Sequence, residues 1–308
     1  MILEVDYIDR RRIRAVVPVN ISYLQFLKSF VVAGQGRMPT VTTWKEMFGN
    51  NFSYGRFFRT RFFRHFAFRA PAGDRYDPTA QGDFSTLVGK AFADILAKRL
   101  SGATLTFGYE AALKEAGHSL AGQRPDMFCV SPASTFAIEA KGFNDASVSD
   151  NAMRAHKVQA SSGQLHADFH VACVSYNLYD QPKCKYHDPE GTGEESSRGF
   201  LHNLVQSYYE GWNTFLKMSM IQKDEVLFGG RRYHLISMIL TVAGDYVEPH
   251  HLLLDCLAMQ SGLRGEVPPT GLTRNSANVF VDADGVGLCS DRGAELLVNK
   301  RPIKLLSL

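Results

Sequence analysis

Asp126, Glu139 and Lys141 are the residues of this 308-residue chain whose types and spacing point most directly to chemistry. Side chains at i and i+2 of a strand share a face, so Glu139 and Lys141 of Thr135–Lys141 project together. Ser131–Ser134 (SPAS) has the composition of a turn. If it closes a hairpin as a four-residue loop, Asp126 falls opposite Glu139, with Cβ atoms about 4.5–5.5 Å apart. A one-residue slip would send one carboxylate to the other face. Two such carboxylates repel unless a cation neutralises them. Oxygen ligands suit a hard divalent ion such as Mg²⁺, and the backbone carbonyl of Ala140 adds a ligand. A lysine beside them orients or deprotonates water, and the ion stabilises charge on a phosphate oxygen. The set suits hydrolysis of a phosphodiester.

The elements that must position these groups are legible nearby. Thr86–Leu100 places Leu87, Ala91, Ile95 and Leu96 at helical spacing, and Gly102 follows a basic last turn, a stop signal. Arg124–Val130 and Thr135–Lys141 read as strands, residues 151 to about 164 as a helix, and His170–Leu178 as a third strand. The order helix, hairpin, helix, strand is an α/β pattern.

Pro125-Asp126 followed by Glu139-Ala140-Lys141 resembles the PD-(D/E)xK motif of restriction-endonuclease-like nucleases. Each half occurs once in the chain, and the likeness covers roughly residues 84–180. The resemblance implies an α/β fold whose mixed central sheet is flanked by helices, here with basic N-terminal and α+β C-terminal additions. It implies an Mg²⁺-dependent endonuclease acting on DNA, most often double-stranded, with Mn²⁺ able to substitute. Asp126 and Glu139 would bind the metal with the Ala140 carbonyl, and Lys141 would position or activate water. The family frequently carries an acid on the preceding helix. Asp94 is the candidate and Glu110 the runner-up, although Asp94 also reads as a solvated partner of Lys98 at i+4. The following helix often supplies a Gln or Lys, here Gln159 with Lys157 behind it. Restriction or anti-phage defence is the usual setting, and two-strand cleavage favours a homodimer. The alternatives are a catalytically silent nucleic-acid-binding or assembly protein of the same fold, and a non-specific toxin or effector DNase.

Charge distribution adds a second expectation. Net charge is only +3, yet residues 1–75 hold thirteen Lys/Arg against five Asp/Glu, which suggests an anionic partner. In Ser53–Arg69, Arg56, Arg59, Arg61, Arg64 and Arg69 alternate with six phenylalanines. Arginine forks suit phosphates. Phe58, Phe62 and Phe66 would share a helical face turned to the core. Asp282-Ala283-Asp284-Gly285 resembles the opening of a calcium loop, but Gly293 stands where its closing Glu belongs, so a β-turn is expected.

The expected organisation is a basic region over 1–80, a nuclease core over 81–180, an exposed polar loop over 181–199 and an α+β region over 200–308, accessory or dimerising. Forty-five per cent hydrophobic content excludes a disordered chain. Five widely spaced cysteines argue against a disulfide framework and fit a reducing compartment. With no signal-peptide h-region and no apolar run of membrane length, a cytoplasmic protein without a membrane partner is expected.

Overall fold

The computed structural model describes residues 1–33, 54–61, 65–70, 77–187, 199–218, 223–238, 250–269 and 273–300. The protein is mixed α/β, with seven α-helices among the described residues. A seven-stranded mixed sheet is built from β1 (Ile2–Ile8), β2 (Arg14–Asn20), β5 (Leu105–Gly108), β6 (Met127–Val130), β7 (Thr135–Gly142), β8 (Phe169–Tyr176) and β9 (Lys183–His187). Its order is β2-β1-β9-β8-β7-β6-β5, with β1–β9 and β7–β8 parallel and the other pairs antiparallel. The intervening β3 (Phe58–Arg61) and β4 (His65–Phe68) form a separate hairpin.

Helices α1 (Tyr23–Val32), α2 (Pro78–Leu100), α3 (Tyr109–Glu115) and α4 (Asp150–Ser161) accompany these strands. Sequence chemistry fixes their starts. Asp77 caps α2 by accepting from the Thr79 amide, with Pro78 in the first turn, and Ser149 caps α4 by accepting from the Ala152 amide. The helix expected from Thr86 therefore begins two turns earlier, where a proper cap stands. Helix α2 lies on the β7 face formed by Ile138 and Ala140, with Val88 and Phe92 in the same core. Helix α4 covers the other face, where Met153 packs with Ala172 and Val174.

After α5 (Gly199–Leu216), an antiparallel six-stranded sheet follows, ordered β10-β11-β12-β15-β14-β13. Its strands are β10 (Lys223–Phe228), β11 (Arg231–Met238), β12 (His250–Asp255), β13 (Arg274–Asn275), β14 (Val279–Val281) and β15 (Val286–Ser290), with α6 (Cys256–Leu263) and α7 (Asp291–Val298).

Three sequence expectations change here. The region 1–80 is not a separate unit, because β1 and β2 complete the sheet that carries Glu139. Residues 181–199 are not wholly a loop. Lys183–His187 is a strand whose Cys184 and Tyr186 are buried, so its alternation outweighs its polar composition; residues 188–198 lie outside the described set. The Phe/Arg stretch is a hairpin rather than a helix: Phe58 faces Phe68 across β3–β4, and Phe66 and Phe68 are i, i+2 neighbours. Both are buried, which matches a period of two. All five cysteines are free thiols. Among the described residues no helix is long and apolar enough to cross a membrane.

Candidate active site

The β6–β7 hairpin has the register that a four-residue loop dictates. Met127 pairs with Ile138 and Val130 with Thr135. The Ser131 amide donates to the Ser134 carbonyl at 2.8 Å, and the Ser131 hydroxyl accepts from the Ser134 amide. One residue beyond the ladder, the Asp126 amide donates to the Ile138 carbonyl at 3.0 Å. The Asp126 carboxylate then accepts from the Ala140 amide at 3.1 Å, so the side chain continues the pairing where the strand ends.

Glu139 and Lys141 oppose Ala172 and Val174 on β8. Cross-strand partners share a face, so both project beneath α4. The Lys141 ammonium touches Glu139 Oε1 and lies 3.4 Å from Asp126 Oδ2. The three residues singled out from the sequence thus form one cluster. Glu139 is 0% exposed; its Oε1 is in direct contact with the Lys141 ammonium, while its Oε2 has no hydrogen-bond partner. Burial and the adjacent Asp126 charge push its carboxyl up to about 7, although Lys141 pulls the other way. Burial works to lower the Lys141 pKa, but Glu139 and Asp126 outweigh it and hold it above the ordinary value. Lys141 is therefore an ammonium at neutral pH.

An open cleft of about 600 Å³ adjoins Asp126 and is lined by Lys90, Glu110, Lys114, Arg124 and Gln159 among others. Gln159 Nε2 donates to the Arg124 carbonyl at 3.4 Å. Lys157, two residues away on α4, is half-buried and acts electrostatically on His170 rather than lining the cleft. Glu110 sits at the rim, ion-paired to Arg124. A smaller cavity of about 220 Å³ lies under the 131–134 turn, away from the carboxylates.

Asp94 is a correction. It is buried, accepts from Ser29 Oγ at 2.6 Å and from Thr106 Oγ1, and pairs with Lys98 at 2.8 Å. Lys98 and Lys28 also bind Asp282 and Asp284 of the β14–β15 turn, at 2.6–3.6 Å. The i+4 pairing with Lys98 forms, but in the core instead of in solvent. Among the described residues, no group of three His, Cys, Asp or Glu side chains stands together as a metal cage. Asp94 accordingly does not join Asp126 and Glu139. Asp282–Gly285 is the expected β-turn, closed by the Gly285 amide on the Asp282 carbonyl.

The described arginines of the basic hairpin are not among the residues lining this cleft. Arg56, Arg59 and Arg69 are exposed, and Arg69 Nε donates to the Arg56 carbonyl. Arg61 belongs to β3, but its side chain lies outside the described set, as does Arg64 entirely.

Sequence reasoning missed Lys90, Lys114, Arg124 and His156. Lys90 is one turn before Asp94, and its signal was Gly89. A Cβ at Gly89 would come within 2.6 Å of the Lys141 carbonyl carbon, and one at Gly142 would overlap the Ser85 carbonyl oxygen. Helix and strand backbones therefore touch at this point, which brings the next residue, Lys90, to within 3.5 Å of Asp126 Oδ1. His156 on α4 feels Lys141, and burial together with that charge lowers its pKa despite Asp126. No protein-family model, curated protein or solved structure matches the chain.

Proposed function

We propose that the protein is a divalent-metal-dependent nuclease of the PD-(D/E)xK type that hydrolyses DNA phosphodiesters, with residues 81–180 at the centre of a restriction-endonuclease-like core. One observation carries this reading: a fully buried Glu139 beside Asp126, with Lys141 in contact with both and one Glu139 oxygen left without a hydrogen bond. A purely structural carboxylate in that position leaves an acceptor unsatisfied, at a cost of roughly 1–3 kcal/mol. An ion-binding carboxylate gains its partner in the working state.

The donor set is all oxygen and fits Mg²⁺, with Mn²⁺ as a substitute. Asp126, Glu139 and the Ala140 carbonyl would hold the ion. When bound, it supplies Lewis acidity toward a phosphoryl oxygen and a more acidic water. The chain's own groups do the rest. The Ala140 amide orients the Asp126 carboxylate. Lys141, as an ammonium, donates to the attacking water or to the phosphate oxygen that gains charge; it does not start as the base. In the reaction a water oxygen bonds to phosphorus, one P–O ester bond breaks, the water loses a proton and the leaving oxygen gains one. Arg56, Arg59 and Arg69 are exposed cations of a kind suited to a phosphate backbone. A homodimer would place two such sites on the two strands of a duplex, as restriction or anti-phage cleavage requires.

The test is incubation of plasmid DNA and RNA with Mg²⁺ and the purified protein, beside Glu139→Ala and Lys141→Ala. Wild type is expected to cut DNA and both variants to lose cutting. Discrete fragments indicate site recognition, and a smear indicates a non-specific effector. Equal survival of all substrates with all three proteins overturns the proposal.

A further inference from the structure

The helix turn that was expected to bring an acid to the site brings a cation. Lys90 Nζ lies 3.5 Å from Asp126 Oδ1, while Lys141 Nζ lies 3.4 Å from Oδ2. Asp126 is therefore clasped between two ammonium groups. Lys141 is also tied to Glu139, whereas Lys90 borders the cleft with 29% of its side chain exposed. The backbone that carries Lys90 is held close to the strand, because the helix meets Lys141–Gly142 at Gly89.

The cleft beyond Lys90 continues the pattern. Lys114 and Arg124 line it, and the opposing charges are Glu110 and Asp126, so its lining carries a net positive charge. Arg124 is held in place by the Leu120 carbonyl at 2.8 Å and by Glu110. Gln123 and Gln159 add neutral polar residues to the lining. The cleft is thus open, its charged lining sums to one net positive charge, and Asp126 is among its residues.

We propose that Lys90, backed by Lys114 and Arg124, is the phosphate-binding wall of this site, and that Asp126 and Glu139 hold a single divalent ion. The inference rests on the nuclease reading and adds how the substrate is gripped. Lys90 stands on Asp126 Oδ1 at the cleft, so a second ion sharing that oxygen would meet its charge. Like charges a few ångströms apart repel by several kcal/mol at the intermediate dielectric of a half-buried site. A phosphate has the opposite need: an ammonium already desolvated on one side and open on the other forms a strong, charge-assisted hydrogen bond with it. Lys90 then touches the substrate phosphate directly and makes part of DNA binding independent of metal.

The experiment uses the full chain and a fluorescein-labelled DNA duplex in EDTA, with anisotropy read across a salt series. A Mn²⁺ titration by calorimetry and the plasmid assay run alongside. Wild type is expected to bind duplex without metal and to take up one Mn²⁺ per chain. Lys90→Ala should weaken metal-free binding roughly tenfold and lower the salt slope by about one. Lys90→Arg should restore most of both. Melting of each variant near the wild-type temperature ensures that the loss is local. The inference is overturned if wild type cuts and binds DNA while Lys90→Ala binds with the same affinity and slope, or if wild type takes up two ions; the nuclease reading survives either result. If wild type neither cuts nor binds DNA, the nuclease reading falls and this inference with it.

Discussion

Replacing Glu139 by Gln tests the central electrostatic argument. Glu139 is fully buried, and its carboxyl is pushed up to about 7 from an ordinary 4.5 by burial and by Asp126. Below pH 4.5 it is neutral in both folded and unfolded chains and contributes no pH-dependent difference. As pH rises from 4.5 to 7, the unfolded chain releases its proton first, so the folded state loses stability. Above 7 the loss is complete and amounts to about 3 kcal/mol, because each pH step between the two values costs ~1.4 kcal/mol. Gln carries no such penalty. In EDTA at pH 8, Glu139→Gln is expected to melt higher than wild type by up to about 3 kcal/mol, on the order of 5–10 °C for a chain of this size. The gap should close by pH 4. With Mn²⁺ the order reverses in kind. Wild type gains about 2.7 kcal/mol at a hundredfold excess over its dissociation constant, while Glu139→Gln gains little. The assay is thermal or urea denaturation at pH 4, 6 and 8 with EDTA or Mn²⁺. A variant less stable than wild type at pH 8 in EDTA, by an amount independent of pH, would contradict this account. It would mean that the carboxylate is already satisfied by the protein.

The helix–strand crossing yields a second prediction. Gly142→Ala forces a Cβ into the Ser85 carbonyl. It should cost about 1–3 kcal/mol and abolish cleavage in whatever fraction remains folded, as read by denaturation and plasmid assay. The buried cluster predicts the opposite balance. Lys98→Ala leaves Asp94, Asp282 and Asp284 short of a partner and should cost about 3–5 kcal/mol, measured by urea unfolding. Burial would raise the Asp282 pKa, but Lys28 and Lys98 hold it below the ordinary 3.8. Its stabilisation is therefore complete above that pH and is lost on acidification below it, so acid titration of wild type should show a step there that Lys98→Ala blunts. Arg56→Ala with Arg59→Ala changes only exposed side chains. It should leave the melting temperature unchanged and reduce the salt slope of DNA binding by up to about two; an unchanged slope removes the hairpin from the interface.

The features legible in the chain alone are local ones. Strand periodicity put Glu139 and Lys141 on one face, and a Ser-Pro-Ala-Ser turn set the register that brings Asp126 to them. Turn residues act over a few positions, so the turn at Asp282–Gly285 was read without the fold, whereas the caps at Asp77 and Ser149 emerged only with the helices they start. The destinations of buried charges were decided by tertiary packing. Lys28 meets Asp282 across 254 positions, and no pattern near Asp94 announces that Ser29, Thr106 and Lys98 will claim it. The same long-range packing seats Lys90 beside Asp126, because two glycines far apart in the chain let a helix touch a strand. It also placed β1, β2 and β9 in the central sheet, where polar composition had suggested a separate head and a loop. Sheet membership depends on which edges are available for pairing, and a single segment carries no record of that.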